Sequence, residues 1–149
     1  MNAIRSHLSG GLAGPAEGLL QRADAELLAA QFSSEPWERL SHAHLAAVRA
    51  GAALLAARGR PGGRRVSRSV WEMLDAVAPE VQRWSGYFAA GASLRSAVEA
   101  GRFDIVSPAR AEQAVCAAED FLDAVRALVE AEAGTADAAG ASVLAARAS

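Results

Sequence analysis

Apolar side chains recur every three or four residues along most of the chain, which is the spacing of an amphipathic α-helix. Four segments carry this pattern and are predicted to be helices: residues 15–32, 35–58, 69–101 and 108–132. The third segment contains Pro79, so we expect a kink there, or two helices that meet at Ala78. The pattern therefore predicts an all-α fold, an antiparallel up-and-down four-helix bundle.

The second of these helices, residues 35–58, is predicted to be the centre of the bundle. Gly51 lies among alanines on its apolar face and costs about 1 kcal/mol of helix propensity relative to alanine. We expect that it is there because a neighbouring helix approaches closely. Gly59 and Pro61 end the helix.

The two ends of the chain lack a sustained pattern. Residues 1–14 contain glycines and no helical period, so we predict a flexible lead-in. Residues 133–149 are rich in alanine and glycine and carry almost nothing large to bury, which predicts a disordered tail. Residues 15–132 are then one helical domain.

Composition supports the helical prediction and limits the classes of function. Hydrophobic residues make up 52% of the chain but aromatic residues only 5%, and alanine favours helices over sheets. The net charge of −2 argues against a general polyanion-binding surface. No apolar run approaches the ~20 residues that span a bilayer, and the N-terminus lacks the core of a signal peptide. We expect a soluble cytoplasmic protein.

The titratable side chains predict neither a metal site nor a cofactor. His42 and His44 are two residues apart on a helix and point about 200° away from each other, so they cannot share a metal ion. His44 lies on the apolar face, where we expect a core histidine hydrogen-bonded to a neighbouring helix, and His42 is expected to be solvated. Cys116 is the single cysteine, which excludes an internal disulfide, and the acids around it would raise the pKa of its thiol.

Five arginines on a Gly/Pro-rich loop are the one concentrated charge feature. They are Arg58, Arg60, Arg64, Arg65 and Arg68. Guanidinium groups on a flexible backbone can bind the phosphates of RNA, DNA or a nucleotide. The alternative is a solvated basic loop that balances the acidic fourth helix.

A second candidate surface is aromatic. Trp84, Tyr87 and Phe88 lie so close together in the sequence that they cannot all face inward, which makes a homodimer interface a candidate. The alternative is that these side chains fill a core otherwise made of small residues.

Three segments in this order resemble the HEPN-domain superfamily, and in particular an actinobacterial branch of it. They are ERLSHAHLAAVRAGAALLAARGRP at 38–61, SVWEMLDAVAPEVQRWSGYFAAGASLRSAVEAG at 69–101, and VSPARAEQAVCAAEDFLDAVRALV at 106–129. The resemblance covers residues 15–132 and consists of helix faces more than of chemical motifs. It implies a helical bundle that dimerises.

Many members of that superfamily are metal-independent RNases with an arginine, four to six residues, and a histidine near the start of the last core helix. This chain has no histidine after His44, so its last helices cannot supply that motif. Arg39 and His44 match the spacing, but on the second helix, where the two side chains diverge by about 140°.

The resemblance therefore implies a non-catalytic HEPN-like domain that binds a partner protein, a nucleic acid or a nucleotide. The alternatives are a metal-independent RNase that uses Arg39 and His44, and a purely structural homodimer.

The arginine loop gives a first testable prediction. If the loop binds RNA, the affinity should fall with salt at a log–log slope of roughly −3, because each of four or five neutralised phosphates contributes about 0.7. Replacing Arg60, Arg64 and Arg65 with alanine should flatten this slope, measured by fluorescence anisotropy across a salt series. An unchanged slope would show that the loop does not contact the phosphates.

Overall fold

Three long helices and a run of short ones make up the computed structural model, which describes residues 2–62 and 69–148, with side chains from Gly14 onward. The helices are α1 (Asn2–Phe32), α2 (Pro36–Arg58), α3 (Val70–Val77), α4 (Gln82–Ala90), α5 (Ala92–Glu99) and α6 (Pro108–Ala148). Short 3₁₀ turns lie at Pro79–Val81 and Phe103–Ile105. The prediction of an all-α fold is confirmed for this part of the chain.

Helix α2 lies at the centre, with α1 packed on one side and α6 on another. Most of its buried side chains are small, which lets the neighbouring backbones come close. They are Ala43, Ala46, Ala47, Ala50, Gly51 and Ala53, with Leu40, His44, Leu54 and Leu55 as the larger members. By length and composition α2 could also cross a bilayer, with a mean hydropathy of 1.2. Because 56% of that apolar window is buried against the rest of the fold, α2 is the core helix of the bundle.

The predicted third helix is in fact three short helices. Helix α3 ends at Val77, a 3₁₀ turn begins at Pro79, and Gly91 separates α4 from α5. The meeting of two helices at Ala78 was one of the two predicted outcomes, and the second break at Gly91 was not predicted. The buried hydroxyl of Ser85 donates a 2.6 Å hydrogen bond to Asp75 Oδ1 and so links α4 to α3.

A simple up-and-down four-helix bundle is therefore not what the structure shows. Of the short helices that replace one long helix, α3 and α5 contact α2. Two capped starts hold this segment in place: Ser69 accepts a hydrogen bond from the Glu72 N–H, and Ser107 accepts one from the Arg110 N–H. The second cap fixes the first turn of α6.

The helices at both ends of the chain extend beyond the bounds predicted for them. Helix α1 extends back to Asn2 through a non-helical Gly14, whose φ of 47° breaks the regular backbone. Helix α6 continues through 133–148, the segment predicted to be disordered, where every residue is exposed. Alanine has the highest helix propensity of any residue, so this segment forms a helix without a core to pack on.

An aromatic cluster fills the space between α2, the short helices and α6. Trp71 of α3 and Phe88 of α4 stack with ring centroids 5.3 Å apart, and Phe121 of α6 lies 6.0 and 6.1 Å from them. Trp84 packs on Phe121 at 5.8 Å. The ring of His44 contacts the edge of this cluster.

Gly51 is the position where α3 approaches α2, as the sequence predicts. A Cβ atom there would lie 3.0 Å from side-chain carbons of both Leu74 and Val70. We expect Gly51→Ala to lower the free energy of unfolding by about 1 kcal/mol, because overpacking outweighs the gain in helix propensity.

Gly18 provides the matched control for this substitution. It lies on the exposed side of α1, and a Cβ atom added there would have nothing within 4 Å. Gly18→Ala should raise the free energy of unfolding by about 0.5–1 kcal/mol. Chemical denaturation followed by circular dichroism measures both, and equal stabilisation by the two substitutions would contradict the close approach of α3.

Candidate functional site

A small cleft opens where α2, α4, α5 and α6 meet. It encloses about 260 Å³ of empty space, including the solvent at its mouth. Four side chains with polar groups line it, one from each helix: His44, Tyr87, Arg95 and Arg110. The other lining residues are Leu40, Phe88, Gly91 and Ala114. No carboxylate lines the cleft within the described chain.

His44 is the most buried polar group of the cleft, with 7% of its surface exposed. Its ring meets Trp71 and Phe88 edge-on, with centroids 6.2 and 6.1 Å away. Burial, followed by the positive charge of Arg95, lowers the pKa of His44 to about 4. The imidazole is therefore neutral at neutral pH.

The sequence predicted that His44 would hydrogen-bond to a neighbouring helix, and this part of the prediction was wrong. Within residues 14–62 and 69–148 no protein group hydrogen-bonds to the ring. The aromatic side chains from α3 and α4 surround it instead, and they offer no acceptor. Its ring nitrogens are left for a ligand or for water.

Arg110 projects from the first turn of α6. Its Nη1 donates a hydrogen bond to the Tyr87 hydroxyl, and its guanidinium lies 5.1 Å from the centre of the Tyr87 ring. On its other side, a Cβ atom at Gly91 would come within 3.3 Å of Arg110 Nη2. None of the ion pairs in the described residues includes Arg110, so its charge is not neutralised by a carboxylate.

Arg95 contributes the second positive charge, from α5. It forms an ion pair with Glu99 one turn further along the same helix, at 3.0 Å. Both side chains are substantially exposed, at 36% and 60%, so the pair is weak and can yield to a competing anion. Two guanidinium groups, a phenol and a neutral imidazole, around a cleft with no acid among its described lining residues, are suited to binding an oxyanion.

Arg39 is not part of this cleft. It forms an ion pair with Glu112 on the outer side of α6. The structure therefore does not bring Arg39 and His44, the candidate RNase pair, into one site, consistent with their divergence along α2.

The first arginine of the predicted phosphate-binding loop has a structural role. Arg58 donates to both carboxylate oxygens of Glu80, at 2.6 and 2.8 Å, to Glu132 at 2.9 Å, and to the Val77 carbonyl at 3.2 Å. Only 17% of its side chain is exposed. It ties the end of α2 to the 3₁₀ turn and to α6. Of the other loop arginines, Arg60 is exposed.

Arg64, Arg65 and Arg68, the remaining loop arginines, lie outside the described residues.

The three aromatic residues of the predicted dimer interface do not form one outward surface. Phe88 is 3% exposed and stacks on Trp71 in the core. Trp84 packs on Phe121 with Arg83 over its ring at 4.2 Å, and Tyr87 turns into the cleft. The dimer itself stays a prediction.

The remaining titratable groups lie away from the cleft. His42 pairs with Glu26 of α1 at 2.7 Å, so it links two helices and is only partly solvated. Desolvation, followed by the charge of Glu112, raises the pKa of the Cys116 thiol, the direction expected from the sequence. In the described part of the chain no cluster of histidine, cysteine or acidic side chains has the arrangement of a metal site.

Sequence reasoning missed Arg95 and Arg110. The only signal for Arg110 was its position in the first turn after the Ser-Pro start of α6. No periodicity indicates that α5 folds back toward that turn, because the break at Gly91 sets its direction.

Comparison with known protein families identifies a related family. A family model described as SAV_6107-like HEPN matches residues 30–126. That range runs from the end of α1 into α6 and includes every residue that lines the cleft. Searches of curated proteins and of solved structures found no match.

The Arg58 cluster gives a prediction about stability and pH. The hydrogen bonds from Arg58 hold the pKa of Glu80 below its ordinary value of 4.5. This contribution to stability is complete above pH 4.5 and is lost as the pH falls through the folded-state pKa. We expect Arg58→Gln to lower the free energy of unfolding by about 1–2 kcal/mol at pH 7, and by less at about pH 3.

Arg126→Gln is the control for Arg58→Gln, because Arg126 makes a single exposed ion pair with Asp24. It should cost at most about 0.5 kcal/mol at either pH. Urea unfolding at pH 7 and pH 3 measures both variants. A loss from Arg58→Gln that is the same at the two pH values would show that the Glu80 pair does not stabilise the fold.

Proposed function

Because the chain belongs to the SAV_6107-like HEPN family, we propose that it is a non-catalytic HEPN-like domain that binds the phosphate of a nucleotide or RNA. The proposed binding site is the cleft between α2 and α6. The observation that supports it is that Arg110 and Arg95 both line this cleft, while no carboxylate of the described chain does. Membership of the superfamily was predicted from the sequence and is confirmed.

The free charge of Arg110 is the main attraction for a phosphate. Tyr87 holds the guanidinium by a hydrogen bond and by its ring, which uses one N–H and leaves others available. A guanidinium that is already oriented loses less entropy when it binds an oxyanion than a mobile side chain does. Arg95 adds a second charge once a phosphate competes with Glu99.

The same geometry argues against catalysis. A general base works best when its pKa is near the operating pH, and the pKa of His44 is lowered to about 4. Arg39, the other member of the candidate RNase pair, is occupied by Glu112. We therefore propose binding rather than cleavage, and RNase activity that depends on His44 becomes an outcome of the test.

The test is binding of a labelled single-stranded RNA by fluorescence anisotropy with EDTA present. Arg110→Gln should weaken binding by about 10–100-fold, the loss expected for charge-assisted hydrogen bonds. Arg126→Gln is the matched control, since it removes the same charge from the same helix about 24 Å away. It should change the affinity little.

Each result separates the alternatives. Equal weakening by Arg110→Gln and Arg126→Gln would mean that only net charge matters and would contradict a site in the cleft. Absence of RNA and nucleotide binding would contradict the proposal and favour a protein partner. Cleavage of the RNA that His44→Gln abolishes would replace binding with RNase activity.

A further inference from the structure

We infer that the cleft receives a terminal phosphate, a phosphomonoester such as the 5′-phosphate of a nucleotide or of an RNA end, rather than an internal phosphodiester. This inference rests on the proposed function and narrows it to one class of ligand. Three observations support the inference: the size of the cleft, the charges of the side chains that line the cleft, and the burial of His44.

The cleft is too small for a whole nucleotide. Its empty space of about 260 Å³ includes the open solvent at its mouth, so the part that the protein encloses is smaller still. Leu40, Phe88 and Ala114 supply apolar walls that a charged strand would not run along. One group can enter while the rest of the ligand stays outside. A phosphodiester carries a nucleoside on each side, and both would have to leave through the same opening.

The charges around the cleft match a dianion better than a monoanion. Arg95 and Arg110 supply two positive charges from two different helices, and the Tyr87 hydroxyl accepts a hydrogen bond from Arg110. A phosphomonoester has a second pKa of about 6 and is mostly a dianion at pH 7. A phosphodiester has one negative charge and offers one fewer terminal oxygen.

The buried imidazole of His44 adds a donor that an entering phosphate can reach. Its ring nitrogens make no hydrogen bond with the protein in the described residues, and the ring lies at the wall of the cleft. The charged and titratable groups that line the cleft with it are Arg95 of α5, Arg110 of α6 and Tyr87 of α4, and the rings of Trp71 and Phe88 meet it edge-on. A neutral imidazole can donate its N–H to a phosphate oxygen in this position.

Isothermal titration calorimetry with two small probes at pH 7 tests this inference. Adenosine 5′-monophosphate has a terminal phosphate, and the dinucleotide ApA has one internal phosphodiester and no terminal phosphate. We expect the monophosphate to bind at least about tenfold more tightly, the loss expected for one charge-assisted hydrogen bond. Equal affinity, or tighter binding of ApA, would overturn the inference.

Substitutions at two glycines test the site without removing any charged side chain. Gly91→Ala places a methyl group 3.3 Å from Arg110 Nη2, and the backbone at Gly91 (φ −81°) accepts alanine. It should weaken binding of the monophosphate several-fold. A Cβ atom added at Gly86 of α4 would have nothing within 4 Å, so Gly86→Ala should leave the affinity for the monophosphate unchanged. Equal affinities for these two variants would contradict binding at this end of the cleft.

The outcome also separates this inference from the proposed function. If ApA binds as tightly as the monophosphate and Arg110→Gln weakens both, the cleft binds phosphates but does not select a terminal one. If neither probe binds and RNA does not bind, both proposals fail. His44→Gln, checked for folding by circular dichroism, should weaken the monophosphate more than ApA, and the opposite order would contradict the role of His44.

Discussion

The alanines and Gly51 along α2 let α1, α6 and α3 pack closely against one central helix, and the position of the other elements depends on this contact. Small side chains bring backbones near each other, so the core contains few large residues and leaves little space between them. The large aromatic side chains then collect where the short helices cross α2. That crossing also buries His44, since Trp71 and Phe88 close over its ring.

Burial changes what His44 can do. In water an imidazole is partly protonated near neutral pH, whereas here desolvation and the nearby Arg95 keep it neutral. It is a poor acceptor of a proton in this state but remains a hydrogen-bond donor. The cleft thus combines fixed positive charge from two arginines with a neutral polar group, an arrangement suited to holding an anion.

The arginines have two different roles, and the sequence does not show which arginine has which role. Arg58 and Arg39 pair with carboxylates from α6 or its neighbours, and they hold the bundle together. Arg110 pairs with no carboxylate in the described structure, and Arg95 pairs only with an exposed Glu99. Which arginine stabilises and which is left for a ligand depends on which acids lie beside it after folding.

The sequence by itself determined the helical class, the boundaries of α2, the close approach at Gly51, the interruption at Pro79 and the membership of the HEPN superfamily. These features depend on local spacing, on proline and glycine chemistry and on caps, which act within a few residues. Only the tertiary structure decided that residues 69–101 fold as three short helices and that His44, Arg95 and Arg110 meet. Those contacts join residues far apart in the chain, and a break at one glycine sets the direction of everything that follows it. The Ala-rich segment 133–148 carries almost nothing large to bury, so its helix depends on local propensity rather than on packing.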